Sequence, residues 1–284
     1  MKKIVTILVP TDSSAVSRIA IQYALVLAPV IKARIVMVSV VEIQTDESVL
    51  QNWKKLETQM MRSAQKDIDK RVIEAKGLAG KQVDIEGVLI KGFPKHEIIC
   101  KYAKDEKMDL IVMGTKGATG LSKILQGSIA AAVIGHSAVP VVTVGAKTTF
   151  TKLKRIVYAT DMKNLKGEIK ILASMASIFQ AEILILHVAG SKADSRIDKN
   201  LEPELIKLTG YGNISYHVVK SDNMQEAINT FIASKHADLL AMFTHKPDFY
   251  EKLFNKSMAR KMAFQSDIPL LTFNKSTRAK KIVL

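Results

Sequence analysis

Residues 109–130 read DLIVMGTKGATGLSKILQGSIA. The apolar run Leu110, Ile111, Val112, Met113 ends in Gly114, and Gly117, Gly127 and Ser128 follow it in a G-x2-G-x9-G-S pattern. An apolar run closed by glycine reads as a buried parallel strand whose carboxyl end opens into a loop, and the apolar stretch after Ser128 reads as the next helix. Glycines permit positive φ and close backbone approach, while amides and a hydroxyl at a helix start offer donors to an anion. Two readings follow: a loop that wraps a phosphate, or a flexible loop with a helix cap at Ser128.

Upstream context bears on that choice. A first strand, Ile4 to Val9, ends in Pro10, Thr11 and Asp12, and a second, Ile35 to Val40, ends just before the polar stretch that starts at Glu42. Ligands of open parallel sheets bind outside the carboxyl ends of the strands, where the strand order reverses. With the order 3-2-1-4-5, strands one and four adjoin at that point, and Asp12 and Gly114 face one crevice. Asp12, Ser13 and Ser14 also precede a helical pattern from Ala15 to Ile31, so the Asp12 carboxylate has two readings, a helix cap or a ligand for a ribose hydroxyl or an adenine amino group.

The strand-one Pro-Thr-Asp together with the glycine loop resembles the ATP-binding branch of the universal stress protein family. The resemblance implies that Pro10, Thr11 and Asp12 contact adenine and ribose, that Val40 lines the base, and that Met113, Gly114, Gly117, Gly127, Ser128 and Ile129 hold ribose and phosphates. It implies ATP, with Mg2+, as the ligand and a nucleotide-dependent regulatory or stress-adaptation role. Ser39 departs from the family, where histidine is frequent, and leaves the loop intact.

The chain also repeats itself. Gly92 to Val144 aligns without a gap on Ser221 to Phe273, pairing Glu97 with Glu226, Asp109 with Asp238, Met113 with Met242, Thr115 with Thr244, Ser128 with Ser257 and Pro140 with Pro269. Strand one recurs with Ile7, Thr11 and Asp12 on Ile156, Thr160 and Asp161, and Ile35 to Val40 recurs at Ile183 to Val188. The shift in alignment between these blocks places a deletion in the second copy, where the charged helix of about residues 49–76 shrinks to 201–208. A repeat this long means tandem domains, because solenoid repeats run roughly 20–50 residues.

The expected fold is therefore α/β, two tandem doubly wound domains, each a five-stranded parallel sheet of order 3-2-1-4-5 flanked by helices. Residues 1–146 form the domain with the intact loop, 152–276 the domain with a degenerate loop, and 277–284 a basic tail. Where the first copy has Gly114, Gly117 and Gly127, the second has Phe243, Lys246 and Lys256, and Pro247 and Phe249 stiffen the segment. Backbone cradling of a phosphate is not expected there, and Thr160 and Asp161 are left as helix-capping residues. The fifth strands, Val141 to Val144 and Leu270 to Phe273, are apolar edges that need cover. The family commonly dimerises through this strand, so the two copies are expected to pair as an intramolecular pseudo-dimer, with a homodimer of whole chains left open.

Composition bounds the rest. Hydrophobic residues at 48% and charged residues at 24% describe a globular chain. No run approaches the roughly 18 apolar residues of a membrane span. The N-terminal apolar run stops at Pro10-Thr11-Asp12, as a strand does and a secretion signal does not. A single cysteine, Cys100, rules out an internal disulfide and fits a reducing, cytoplasmic setting. The net charge of +15 divides almost evenly between the halves, and aromatics are 6%, so no specific nucleic-acid module is expected. There is no G-x4-G-K-[ST], no G-x-G-x-x-G after strand one and no G-x-S-x-G elbow. The six histidines are scattered without a metal-ligand spacing, and no catalytic or metal residue is assigned. The alternatives to a binding protein are a slow ATP hydrolase or phosphotransferase and a nucleotide-free interaction scaffold.

Overall fold

A computed structural model describes residues 5–12, 14–43, 50–115, 128–148, 152–190, 198, 200–244 and 268–274. The chain divides into two compact units, Met1–Ala146 and Lys147–Leu284. Gly117, Gly127, Lys246, Pro247, Phe249, Lys256 and the 277–284 tail lie outside the described residues.

The first unit contains strands β1 (Val5–Pro10), β2 (Ala33–Val41), β3 (Ile85–Lys91), β4 (Leu110–Gly114) and β5 (Val141–Val144), with helices α1 (Ala15–Ile31), α2 (Leu50–Ala79), α3 (Lys95–Asp105) and α4 (Ser128–His136). All strand pairs are parallel and the order is β3-β2-β1-β4-β5. The β-branched run of β1 suits a pleated strand packed on both faces, and Ile7, Leu8 and Val9 are fully buried. Helix α1 packs on β1, β2 and β4 through Ala20, Ala24 and Ala28, small residues one turn apart that let the helix lie close to the sheet. Its last turn closes at Lys32, in the left-handed conformation at φ 54°, whose N–H returns to the Ala28 carbonyl.

The second unit contains β6 (Arg155–Ala159), β7 (Glu182–Ala189), β8 (Ile214–Lys220), β9 (Leu239–Thr244) and β10 (Leu270–Asn274), with α5 (Leu165–Phe179), α6 (Leu201–Thr209) and α7 (Met224–Lys235). Its parallel pairs run β8-β7-β6-β9-β10, so each unit shows the same strand order. Helix α2 spans 30 residues and α6 only 9, which is the length difference the shifted repeat requires.

One repeated pair shows why the two copies keep the same aspartate. Asp109 Oδ2 accepts the Thr6 N–H at 3.0 Å, and the Asp109 N–H returns to the Thr6 carbonyl at 2.9 Å. Asp238 Oδ2 accepts the Lys154 and Arg155 N–H groups, each at 2.8 Å, and its own N–H donates to Arg155 at 2.9 Å. In both units an acceptor at the start of the fourth strand takes backbone donors at the start of the first. It thereby sets the register of the two strands whose far ends flank the switch point.

Candidate functional site

The carboxyl ends of β1, β2 and β4 open onto a cleft of about 360 Å³, within the range of roughly 300–1,000 Å³ typical of small-molecule sites. It lies where the strand order reverses, since β2 and β4 flank β1 on opposite sides. Seven of the ten residues singled out in the sequence line it: Pro10, Thr11 and Asp12 from β1 and the turn after it, Val40 from β2, Met113 and Gly114 from β4, and Ile129 from α4. Ser128 opens α4, whose N-terminus therefore lies toward this end of the sheet, since the helix leads on to the start of β5. Gly117 and Gly127 fall outside the described residues.

The turn after β1 is built by short polar side chains. The Thr11 N–H extends the pairing of β1 with β2 by donating to the Val38 carbonyl at 2.8 Å. Asp12 Oδ1 then accepts the Ser14 N–H at 2.9 Å, while Ser14 Oγ accepts the Ser17 N–H at 3.2 Å. Ser14 is thus the N-cap of α1, which settles the capping alternative raised for Asp12: the aspartate lies one turn outside the helix and shapes the approach to it. The Ser17 hydroxyl donates to the Asp12 backbone carbonyl at 2.6 Å, so it braces the turn.

Asp12 carries the negative charge of the cleft. Burial opposes its ionisation, but the Ser14 hydroxyl and amide, the Ser17 hydroxyl and the Lys95 ammonium outweigh that cost and hold its carboxyl below the usual aspartate range. Lys95, in the first turn of α3, lines the same cleft and was missed in the sequence. Its Nζ lies 3.4 Å from Glu42 Oε2, and its backbone N–H donates to Glu42 Oε1 at 3.2 Å, so the residue following β2 anchors the start of α3 twice. No local pattern marks Lys95, because only the packing of α3 beside the end of β2 brings it over the cleft.

Gly114 has a different reason from the one the loop pattern supplies. Its φ is not in the left-handed region. A β-carbon there would lie 2.6 Å from the Val16 carbonyl oxygen and 2.7 Å from Val16 Cγ1. The first turn of α1 therefore crosses the end of β4 at backbone distance, and glycine is what admits it.

The walls divide by chemistry. Val38, Val40, Ile99, Met113 and Ile129 supply apolar surface, and Thr11, Asp12, Ser14 and Lys95 supply polar groups. Such a cleft accommodates a flat apolar face attached to a hydroxylated, charged portion.

In the second unit an aromatic cluster surrounds the position equivalent to Gly114. Phe243, at the position of Gly114, stacks on Phe273 with ring centroids 4.4 Å apart at 10°, and meets Tyr158 edge-on at 5.6 Å. Tyr158 is fully buried; its hydroxyl donates to Glu168 and lies 3.2 Å from Thr160 Oγ1, and burial followed by the Glu168 carboxylate pushes its phenol up. Asp161 Oδ1 accepts the Lys163 N–H at 3.1 Å and its other oxygen pairs with Lys163 Nζ at 3.2 Å. The helix-capping role expected of it does not hold: α5 starts after Asn164, and Asp161 closes a turn outside it. Cys100, on α3, is half-buried as a packing residue, its thiol pushed up to about 11 by burial and then by Glu97. Among the described residues no helix is long and apolar enough to cross a membrane.

A parallel α/β unit with a cleft at its switch point defines a broad class of doubly wound folds. Comparison with known proteins narrows it. The profile of the universal stress protein family matches residues 4–145. Universal stress protein MJ0531 from Methanocaldococcus jannaschii is 33% identical over 142 residues, covering 49% of this chain and 80% of that protein. Universal stress protein MJ0577 from the same organism is 42% identical over 65 residues, 23% of this chain and 40% of that protein. The crystal structure of a universal stress protein from Archaeoglobus fulgidus shares the fold with a TM-score of 0.73 at 18% identity, covering 95% of this chain and 96% of that one. The chain belongs to the universal stress protein family.

Proposed function

We propose that the first unit binds one adenine nucleotide, ATP with Mg2+, and that the protein is a nucleotide-dependent regulatory module. The observation that supports this most is the convergence of Pro10, Thr11, Asp12, Val40, Met113, Gly114 and Ile129, from four separate elements, on one cleft. The apolar side chain of Val40 suits the face of a base, and Met113 and Gly114 lie toward the ribose and phosphates. Asp12, ionised and hydrogen-bonded in place, suits a ribose hydroxyl or an exocyclic amine, as acidic residues do in other doubly wound nucleotide folds. The start of α4 at Ser128 suits a phosphate. Mg2+ needs few protein ligands here, because it travels with the phosphates and keeps much of its water.

One nucleotide per chain is expected, since the second unit carries Phe243, Lys246 and Lys256 where the first has Gly114, Gly117 and Gly127. The test is mass spectrometry of nucleotide released from denatured, freshly purified protein, together with calorimetry of ATP with Mg2+. Recovered ATP and a stoichiometry near one support the reading. Recovered ADP moves the slow hydrolase ahead of it, and absence of both binding and released nucleotide leaves the interaction scaffold.

A further inference from the structure

Two histidines that lie far apart in the sequence meet in the fold. His96 stands in the first turn of α3 and His136 at the end of α4, and their ring centroids are 5.6 Å apart with the planes tilted by 49°. His136 Nδ1 lies 2.8 Å from the Ala132 carbonyl. A carbonyl only accepts, so Nδ1 carries the proton, and the Nε2 of the neutral ring keeps its lone pair for another partner. Imidazole metal ligands are commonly prepared in this way, with the second ring nitrogen donating to a backbone carbonyl.

We propose that His96 and His136 form a two-imidazole site for a borderline divalent ion, zinc, nickel or copper(II), that ties α3 to α4. Two imidazoles on one ion at the usual metal–nitrogen length of about 2.0–2.1 Å place their ring centroids about 5 Å apart. The observed centroid spacing of 5.6 Å is close to that value. Imidazole nitrogen is the donor these ions favour, whereas calcium and magnesium require oxygen. His96 is half-buried and His136 exposed, so the site is open to solvent and water completes the coordination. Among the described residues no third histidine, cysteine or carboxylate completes a metal-binding group. Cys100, one turn along α3 from His96, directs its sulfur to the Val133 carbonyl at 3.9 Å.

The site has a structural consequence. Helix α3 contributes Lys95 and Ile99 to the cleft, and α4 contributes Ile129 and Ala130. A metal bridge between the two helices holds together two walls of that cleft, whatever ligand it takes, so this inference does not rest on the nucleotide reading.

The full chain, stripped of metal, is titrated with zinc by calorimetry and with copper(II) under electron paramagnetic resonance. The expected result is one principal site per chain, a copper spectrum coupled to two imidazole nitrogens, and a higher Tm with zinc. His96→Ala and His136→Ala each weaken zinc binding about tenfold or more and abolish the Tm gain, and the double variant loses little beyond either single one, because each alone breaks the chelate. His217→Ala, in the second unit, leaves binding unchanged. Unchanged zinc affinity in either single variant, coupling to a single nitrogen, or loss of binding in His217→Ala overturns the proposal.

Discussion

The Val16 carbonyl, in the first turn of α1, passes so close to the end of β4 that a β-carbon on Gly114 would stand 2.6 Å from its oxygen. The atom in the way belongs to a backbone, which cannot rotate aside as a side chain can. Gly114→Ala therefore pushes α1 away from β4, and overpacking of this kind costs about 1–3 kcal/mol. The same shift moves Ser14 and Ser17, and with them the Asp12 turn. Thermal unfolding should show a lowered Tm, and ATP affinity should fall although no proposed ligand contact has been deleted. A variant with wild-type Tm would show that the helix and strand separate without cost.

Asp12 gives a pH test with a definite sign. Its folded-state pKa lies below the ordinary aspartate value of 3.8, so in acid the unfolded chain takes up the proton first and stability rises with pH. The contribution is complete above that ordinary value and disappears as pH falls through the depressed folded value. Asp12→Asn should therefore narrow the acid arm of the Tm profile: wild type loses stability more steeply below about pH 4 than the variant, and the two converge at the acid end. At neutral pH the variant should bind ATP about tenfold more weakly, the scale of one charge-assisted hydrogen bond. Parallel acid profiles would mean that the hydrogen bonds from Ser14 and Ser17 do not favour the ionised form.

How far the fold was legible follows from which forces are local. Helix α1 was read at its observed limits, Ala15 to Ile31, because a serine cap and an apolar period lie next to each other in the chain. The tandem arrangement was legible because the second copy repeats residues such as Asp238, whose carboxylate does the same backbone clipping as Asp109. Lys95 was not legible, since its place over the cleft depends on α3 packing beside β2 and on the Glu42 anchor. Gly114 was legible as a position but not in its cause: the pattern suggested room for a phosphate, and the structure shows room for the Val16 backbone. His96 and His136 each looked isolated because they meet only when α3 packs on α4.

Lys95 separates binding from stability. Its ion pair with Glu42 is partly exposed on both sides, and pairs of this kind contribute ~0–1 kcal/mol. Lys95→Ala should change Tm little. It removes the ammonium that lines the cleft and acts on Asp12, so the affinity for a polyanionic nucleotide should fall several-fold, with a shallower salt dependence. Calorimetry at two ionic strengths checks both. If Lys95→Ala binds ATP as tightly as wild type while Asp12→Asn does not, the ammonium faces solvent in the complex.

The second unit tests whether its site was lost by one substitution or by several. Phe243 lies between Phe273, which it stacks on, and Tyr158, which it meets edge-on. A half-buried phenyl in such a cluster is worth about 2–4 kcal/mol on truncation, toward the lower part of the range for buried phenylalanine. Phe243→Gly restores the residue found at the corresponding strand end of the first unit, but Lys246 and Lys256 still stand where the first unit has Gly117 and Gly127, and the fully buried Tyr158 keeps its hydrogen bond to Glu168. The variant should unfold at a lower temperature and still bind one nucleotide per chain. A stoichiometry rising to two in Phe243→Gly would mean that the phenyl ring alone closes the second cleft, and that Thr160 and Asp161 retain the ligand-binding competence of Thr11 and Asp12.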